Sequence, residues 1–251
     1  MANGTQASNT SGGVSDLRNS FVYGNASSNG GVIANTGNVQ GNVYNNFQTT
    51  IPDVADPVFS TLQATPTIIK NPSSPVTLTG GPAGSPKNYK LSELTVSNNA
   101  KSVFLAPSAA GVDSYINIWV TGKTTVSGSG YIQVQPNVHV KFYCDDDVTI
   151  SGNGVMNQTN VASNVMMFGV TPNGNNANQM TISGSGNFIG VLNAPSFAMT
   201  ISGSADFSGA AIGRSVTISG SGNFHYDEAL GTLGGVTGTS FRVASWVEDI
   251  R

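Results

Sequence analysis

Thr149-Ile150-Ser151-Gly152-Asn153-Gly154 returns as Thr181-Ile182-Ser183-Gly184-Ser185-Gly186, as Thr200-Ile201-Ser202-Gly203-Ser204-Ala205, and as Thr217-Ile218-Ser219-Gly220-Ser221-Gly222. Looser copies stand at Thr125-Val126-Ser127-Gly128-Ser129-Gly130 and Thr95-Val96-Ser97. The six copies begin at 95, 125, 149, 181, 200 and 217, so the steps between them are 30, 24, 32, 19 and 17 residues. The last two steps match one short coil of a β-solenoid, and the longer ones a coil carrying an inserted loop. In a strand, neighbouring side chains face opposite ways, so Thr and Ser point to one side and Ile or Val to the other. Stacked at about 4.8 Å per rung, Ile150, Ile182, Ile201 and Ile218 form an internal aliphatic ladder. Each buried Ile contributes about 1.5–3 kcal/mol. The glycines that follow permit a corner at positive φ.

A second column lies beyond each corner. Phe188, Phe207 and Phe224 align, each preceded by a turn residue, Asn187, Asp206 and Asn223. The stretch from Phe188 to Ala194 also aligns with that from Phe207 to Gly213, with small residues recurring where the wall of a narrow coil is crowded. The expected fold is therefore all-β: a right-handed parallel β-solenoid of six to eight coils, with an irregular N-terminal segment and a C-terminal cap. The handedness follows from the rule for parallel crossovers.

Composition agrees. Only 9% of the 251 residues are charged, against about a quarter in an ordinary globular domain. Gly supplies 31 residues, and with Asn, Ser and Thr it disfavours helix. A formal net charge of -3 offers no basic surplus for phosphates, which excludes nucleic acid as the expected partner. One cysteine, Cys144, rules out an internal disulfide or a cysteine-rich metal site. No apolar run is long enough to span a membrane. The opening Met1-Ala2-Asn3-Gly4 lacks signal-peptide character, so an exported form carries its targeting segment outside these residues.

The expected organisation is a flexible arm at 1–19, an opening coil or N-terminal cap at 20–47, a Pro-rich extended connection lying along the solenoid at 48–90, the solenoid at 91–225 and a C-terminal cap at 226–251. Seven of the eleven prolines fall between 48 and 90, which bars that segment from being a central strand. An open solenoid end exposes core and strand edges, and Trp246 is the candidate plug.

The stretch Val140-Lys141-Phe142-Tyr143-Cys144-Asp145-Asp146-Asp147-Val148-Thr149-Ile150-Ser151-Gly152, the Phe188 and Phe207 rungs, and the closing Phe224-His225-Tyr226-Asp227-Glu228-Ala229-Leu230 together resemble the extracellular β-solenoid domain of bacterial surface proteins associated with type IV pilus assembly, the minor-pilin-like group. The resemblance covers about 125–230, and HYDEAL is its most specific element. It implies an exported, non-enzymatic module tethered to a membrane or a pilus.

Two clusters and two single residues invite a chemical reading. Asp145, Asp146 and Asp147 could serve a Ca²⁺ site or, with Lys141, the acidic cleft of a polysaccharide lyase or hydrolase. Calcium needs six to eight oxygens, however, and adjacent strand carboxylates cannot all converge, so a solvated corner is expected. His225-Tyr226-Asp227-Glu228 holds acid–base residue types, but neighbours in a strand point apart, and the polar close of the last rung is expected. His139 reads as a satisfied wall residue. Cys144 beside three aspartates is a poor nucleophile. No catalytic, cofactor or metal residue is therefore assigned.

The outward ladder of Thr149, Thr181, Thr200 and Thr217 beside Ser151, Ser183, Ser202 and Ser219 is the candidate surface. The expected function is a structural or adhesive module of the bacterial surface or pilus machinery, whose partners are envelope or pilus proteins or an extracellular glycan, with self-association through solenoid ends a further route. The alternatives are a carbohydrate-active solenoid enzyme and a binder of ice or another crystalline surface. Ser lacks the methyl that ice-binding T-x-T strands present at the second position.

Overall fold

A computed structural model describes residues 22, 25–28, 31–46, 51–97, 102–170, 178–227 and 229–230, together with the backbone of two strands at 6–8 and 14–16. The chain divides into two compact units, Met1–Thr50 with His225–Arg251, and Ile51–Phe224. Among the described residues the regular structure is strand, apart from short 3₁₀ turns such as Ala162–Asn164.

In the first unit, β1 (Gln6–Ser8), β3 (Ala26–Ser28) and β5 (Val43–Tyr44) form one parallel sheet, and β2 (Val14–Asp16) pairs in parallel with β4 (Val32–Ala34). Val22 makes a parallel bridge to Val39. Ala26 and Ile33 form a small buried cluster with Val22 and Val39 packed on it. The stretch read from sequence as an arm thus supplies two paired strands.

The second unit is a three-faced parallel coil. After β6 (Ile69–Lys70), the first turn is β7 (Val76–Thr79), β8 (Lys87–Leu91) and β9 (Leu94–Val96). The second is β10 (Val103–Ala106), β11 (Ser114–Val120) and β12 (Thr124–Val126), and the third is β13 (Ile132–Val134), β14 (Val138–Cys144) and β15 (Val148–Ile150). The fourth is β16 (Val155–Asn157), β17 (Val165–Gly169) and β18 (Gln179–Ile182). In the fifth and sixth, the three strands run together as β19 (Phe188–Ile201) and β20 (Phe207–Ile218), before β21 (Phe224–Tyr226) begins another.

All these ladders are parallel, and they keep register except between β19 and β20, where a bulge shifts it between Ala194 and Ala198. One face stacks β7, β10, β13 and β16, and the second stacks β8, β11, β14, β17 and the middle of β19. The third stacks β6, β9, β12, β15, β18 and the end of β19. The coil begins earlier than the sequence reading placed it. Pro72, Pro75, Pro82 and Pro86 sit in the connections, which leaves β6, β7 and β8 free of proline and able to pair. The coil shortens along its length: equivalent residues are 29 apart at Asn88 and Asn117 but 17 apart at Asp206 and Asn223.

Alternation drives the burial. In β11 and β14 every second residue is buried, as a strand with one face on a core requires. Ile150, Ile182 and Ile201 are buried in one column, and the exposed Ile218 ends it. Phe188, Phe207 and Phe224 stack with centroids 5.3 and 4.7 Å apart. Asp206 and Asn223 donate their backbone N–H groups to the side-chain oxygens of Asn187 and Asp206 in turn, which ties the corners together.

The glycine column explains the repeat. Gly128, Gly152, Gly184, Gly203 and Gly220 all have positive φ, and a Cβ on any of the last four would meet the backbone of the glycine one coil earlier. Both the conformation and the close stacking demand glycine, so Thr-Ile-Ser-Gly recurs once per coil.

Prolines Pro52, Pro57 and Pro66 fall in a strap, residues 51–68, that lies along the outside of the second face. Val54 makes a parallel bridge to Val170 of the fourth coil. Phe59 packs edge-on against Trp119 and Tyr143, at 6.4 and 6.0 Å. Lower down, Asn88 donates its side-chain amide to the Thr61 carbonyl, Gln63 donates its N–H to Asn88, and Ser92 donates its N–H to Thr67.

Candidate functional site

The third face carries the hydroxyl ladder. Thr95, Thr125, Thr149, Thr181, Thr200 and Thr217 are direct lateral partners on six successive rungs. The serines two residues on continue the stacking, since Ser127, Ser151, Ser183, Ser202 and Ser219 each donate a backbone N–H to the preceding coil. The outer surface is therefore a lattice of hydroxyls, about 4.8 Å apart between rungs and about 6.6 Å apart along each strand. Thr149 and Thr217 are exposed and the other threonines half-buried.

The face changes character along its length. In the first coil, Lys70 Nζ lies 3.0 Å from Glu93 Oε2, Thr95 donates its hydroxyl to Glu93, and Ser97 donates its hydroxyl to Asn71. The Thr95 hydrogen bond, followed by that from Lys70, holds the Glu93 carboxyl below its ordinary range. Beside the threonines, the flanking column reads Glu93, Lys123 and Asp147, then Gln179, Ala198 and Ser215. From Thr181 onward the lattice is uncharged. The hydroxyls of Thr181, Thr200, Thr217, Ser183, Ser202 and Ser219 make no hydrogen bond among the described residues and are available to an external partner.

The acidic run does not converge. Asp145 accepts a 2.7 Å hydrogen bond from Trp119 Nε1. Asp146 accepts from the Asp147 backbone N–H, and Asp147 accepts from that of Gln179. Each carboxylate thus has a separate local task, and Lys141 belongs to the second face, paired laterally with Asn117 and Met166. Among the described residues, no three His, Cys, Asp or Glu side chains come close enough to hold a metal ion. Burial holds the Asp145 carboxyl above its ordinary value of 3.8; the Trp119 hydrogen bond opposes this, Asp56 adds to it and Lys90 opposes it.

A carboxyl raised in the folded state contributes stability that is complete below its unfolded pKa and lost as the pH rises through the folded one. The wild type should therefore lose stability relative to Asp145→Asn as the pH rises through and above the ordinary carboxyl value of 3.8. Urea midpoints at matched pH measure this, and an unchanging difference would remove Asp145 as the titrating group.

The remaining candidates take structural places. His139 stacks on Tyr115 at 4.4 Å, with Nε2 3.9 Å from Asp113 Oδ1. Cys144 is buried and accepts from the Thr124 hydroxyl at 3.7 Å, and burial pushes its thiol up to about 12. At the HYDEAL close, Asp227 accepts the Ala229 N–H on its side chain and the Leu230 N–H on its carbonyl, and Leu230 is buried. Glu228 and the proposed plug Trp246 lie outside the described residues.

One feature escaped the sequence reading. Lys90, Trp119, Tyr143 and Phe168 are lateral partners on the outside of the second face. Lys90 Nζ lies 3.7 Å from the Trp119 ring centroid, and Tyr143 and Phe168 stack at 5.1 Å. Each residue immediately precedes the buried column Leu91, Val120, Cys144 and Gly169, which the strand pairings align. The strap covers this aromatic ladder, with Val54 buried against Phe168 and Val170.

No helix among the described residues is long and apolar enough to cross a membrane. No curated protein and no solved structure matches the chain. The model of a family described as a domain of unknown function, DUF7305, matches residues 77–233. That span takes in all six coils except the first residue of β7 and includes the HYDEAL close, and it is more than half of the chain, which therefore belongs to this family.

Proposed function

We propose that the protein is a non-enzymatic, exported structural or adhesive module of the bacterial cell surface, whose hydroxyl face contacts an extracellular neutral glycan. The observation that carries this reading is the in-register threonine column with unengaged hydroxyls on its uncharged half. Glycan hydroxyls exchange hydrogen bonds with such a lattice, and neither side buries a net charge. The separate engagement of Asp145, Asp146 and Asp147 favours this over a lyase or hydrolase, which needs convergent acid and base groups. Attachment to pilus-assembly machinery is supported by the resemblance of residues 125–230, HYDEAL included, to pilus-associated surface proteins.

Retention of the purified chain on a panel of insoluble neutral polysaccharides tests the reading, with released sugar measured in the same tubes. Retention without release is expected. Thr181→Lys with Thr200→Lys should weaken it by about tenfold, or ~1.4 kcal/mol, because the lysines put unpaired charge into the contact. Asp146→Asn should leave it unchanged. Retention insensitive to the lysines would reject the face, and sugar release abolished by Asp145→Asn would make the protein an enzyme.

A further inference from the structure

The uncharged half of the hydroxyl face is regular in both directions. Gln179, Ala198 and Ser215 are lateral partners, as are Thr181, Thr200 and Thr217, and the serines two residues on continue the pattern. The bulge between Ala194 and Ala198 precedes this face, so its columns keep register through the last coil. On the first three rungs the flanking column is charged, with Glu93, Lys123 and Asp147. The neutral surface is therefore three rungs long, from Thr181 to Thr217.

It is also flat. Beside the serines, Gly184, Gly203 and Gly220 turn the corner at positive φ, each pressed on the backbone of the coil before. Within two residues beyond those glycines no side chain is larger than serine. At the other edge Ala198 and Ser215 are small, and Arg214 donates its Nε to the Ser196 carbonyl. No wall grips a ligand from the side, so the ligand has to match the surface face to face.

The rungs repeat at about 4.8 Å along the coil axis, whereas outward neighbours in one strand stand about 6.6 Å apart. A pyranose chain linked β-1,4 through equatorial bonds is an extended, flat ribbon. Each sugar advances it by little more than one rung. Laid along the axis, it keeps a sugar over each of Thr181, Thr200 and Thr217. Laid across the strands, it crosses the hydroxyl columns once and leaves the face at the glycine corner. Chains linked α-1,4 or β-1,3 wind into helices and touch a flat surface only along one edge of a turn.

We infer that the neutral half of the hydroxyl face takes a β-1,4-linked neutral glycan lying parallel to the coil axis, one sugar to a rung. The inference rests on the reading of this face as a glycan contact and narrows it to one linkage. Threonine serves both parts of the contact. Its hydroxyl exchanges hydrogen bonds with sugar hydroxyls, and its methyl lies against the C–H face of the ring.

The test mixes the unaltered chain with microcrystalline cellulose, curdlan and starch granules, which are β-1,4, β-1,3 and α-1,4 glucans, matched for accessible surface. Retention on cellulose should exceed that on either of the others by on the order of tenfold. It should persist in high salt, because no charge is paired, and soluble cellohexaose should compete where maltohexaose does not. Equal retention on all three, or a preference for curdlan or starch, overturns the linkage and leaves the broader glycan contact standing. Retention that salt abolishes also overturns it, because the charged rungs are then responsible. No retention on any of them removes both readings. Thr200→Lys, on the middle rung, should abolish the preference for cellulose, and a preference that survives in that variant places the contact elsewhere and overturns the inference.

Discussion

Gly203→Ala is expected to lower the melting temperature of the coil by about 10 °C. Gly203 has φ +112, a backbone region that costs a residue with a Cβ about 1–3 kcal/mol. The added carbon would also meet the carbonyl oxygen of Gly184, one coil below. That oxygen is backbone and is held by the N–H of Ser204, so it cannot swing aside as a side chain would. The combined cost is about 3 kcal/mol or more. In a domain of this size each kcal/mol lowers the melting temperature by about 2–4 °C. Gly84→Ala provides the control, because a Cβ there meets nothing and its φ is not positive. Thermal scans by circular dichroism check the pair. Equal shifts for both would mean that the glycine column is incidental to the repeat.

Phe207→Ala should be the most damaging change in the last coils. The ring is 2% exposed and stacks on Phe188 below and Phe224 above. Truncation leaves a cavity and costs about 3–5 kcal/mol, and losing two ring pairs adds about 1 kcal/mol. Phe207→Leu should recover most of this by refilling the volume. Met156→Ala removes a side chain that is 43% exposed and should stay within about 0.5 kcal/mol of wild type. Urea unfolding gives the three values, and a Phe207→Ala cost no larger than that of Met156→Ala would exclude the phenylalanine column from the core.

The parts of this architecture that could be read from sequence are those where physics allows one answer per coil. A corner at positive φ pressed against the coil below admits glycine alone, so Gly152, Gly184, Gly203 and Gly220 mark the period. The buried positions beside them admit only aliphatic residues, hence Ile150, Ile182 and Ile201. The second face has no such constraint on its outer side. Lys90, Trp119, Tyr143 and Phe168 occupy equivalent places, yet no identity repeats, so the column emerges only once the strands are aligned.

The first coil was hidden for another reason. Proline density between 48 and 90 argued against strands, although the prolines there stand between strands rather than within them. The hydroxyl face was legible because alternation alone sets which side chains point outward. The acidic run was legible only in part: adjacency argued against convergence, but the partners Trp119 and Gln179 are 26 and 32 residues distant.

A stack in which each rung touches only its neighbours behaves as a one-dimensional array, free to open from either end. The strap changes that arithmetic for part of the molecule. Between Val54 and Thr67 it makes contacts with coils four, three, two and one in turn, like a stay stitched across four floors. Opening any one of those floors strains a tie that all four share, so they should melt as a single block. Coils five and six lie beyond the strap's contacts among the described residues and keep nearest-neighbour behaviour. A pull along the axis would then be borne collectively by the braced block, while the unbraced end peels one rung at a time, giving the rod a stiff end and a yielding one.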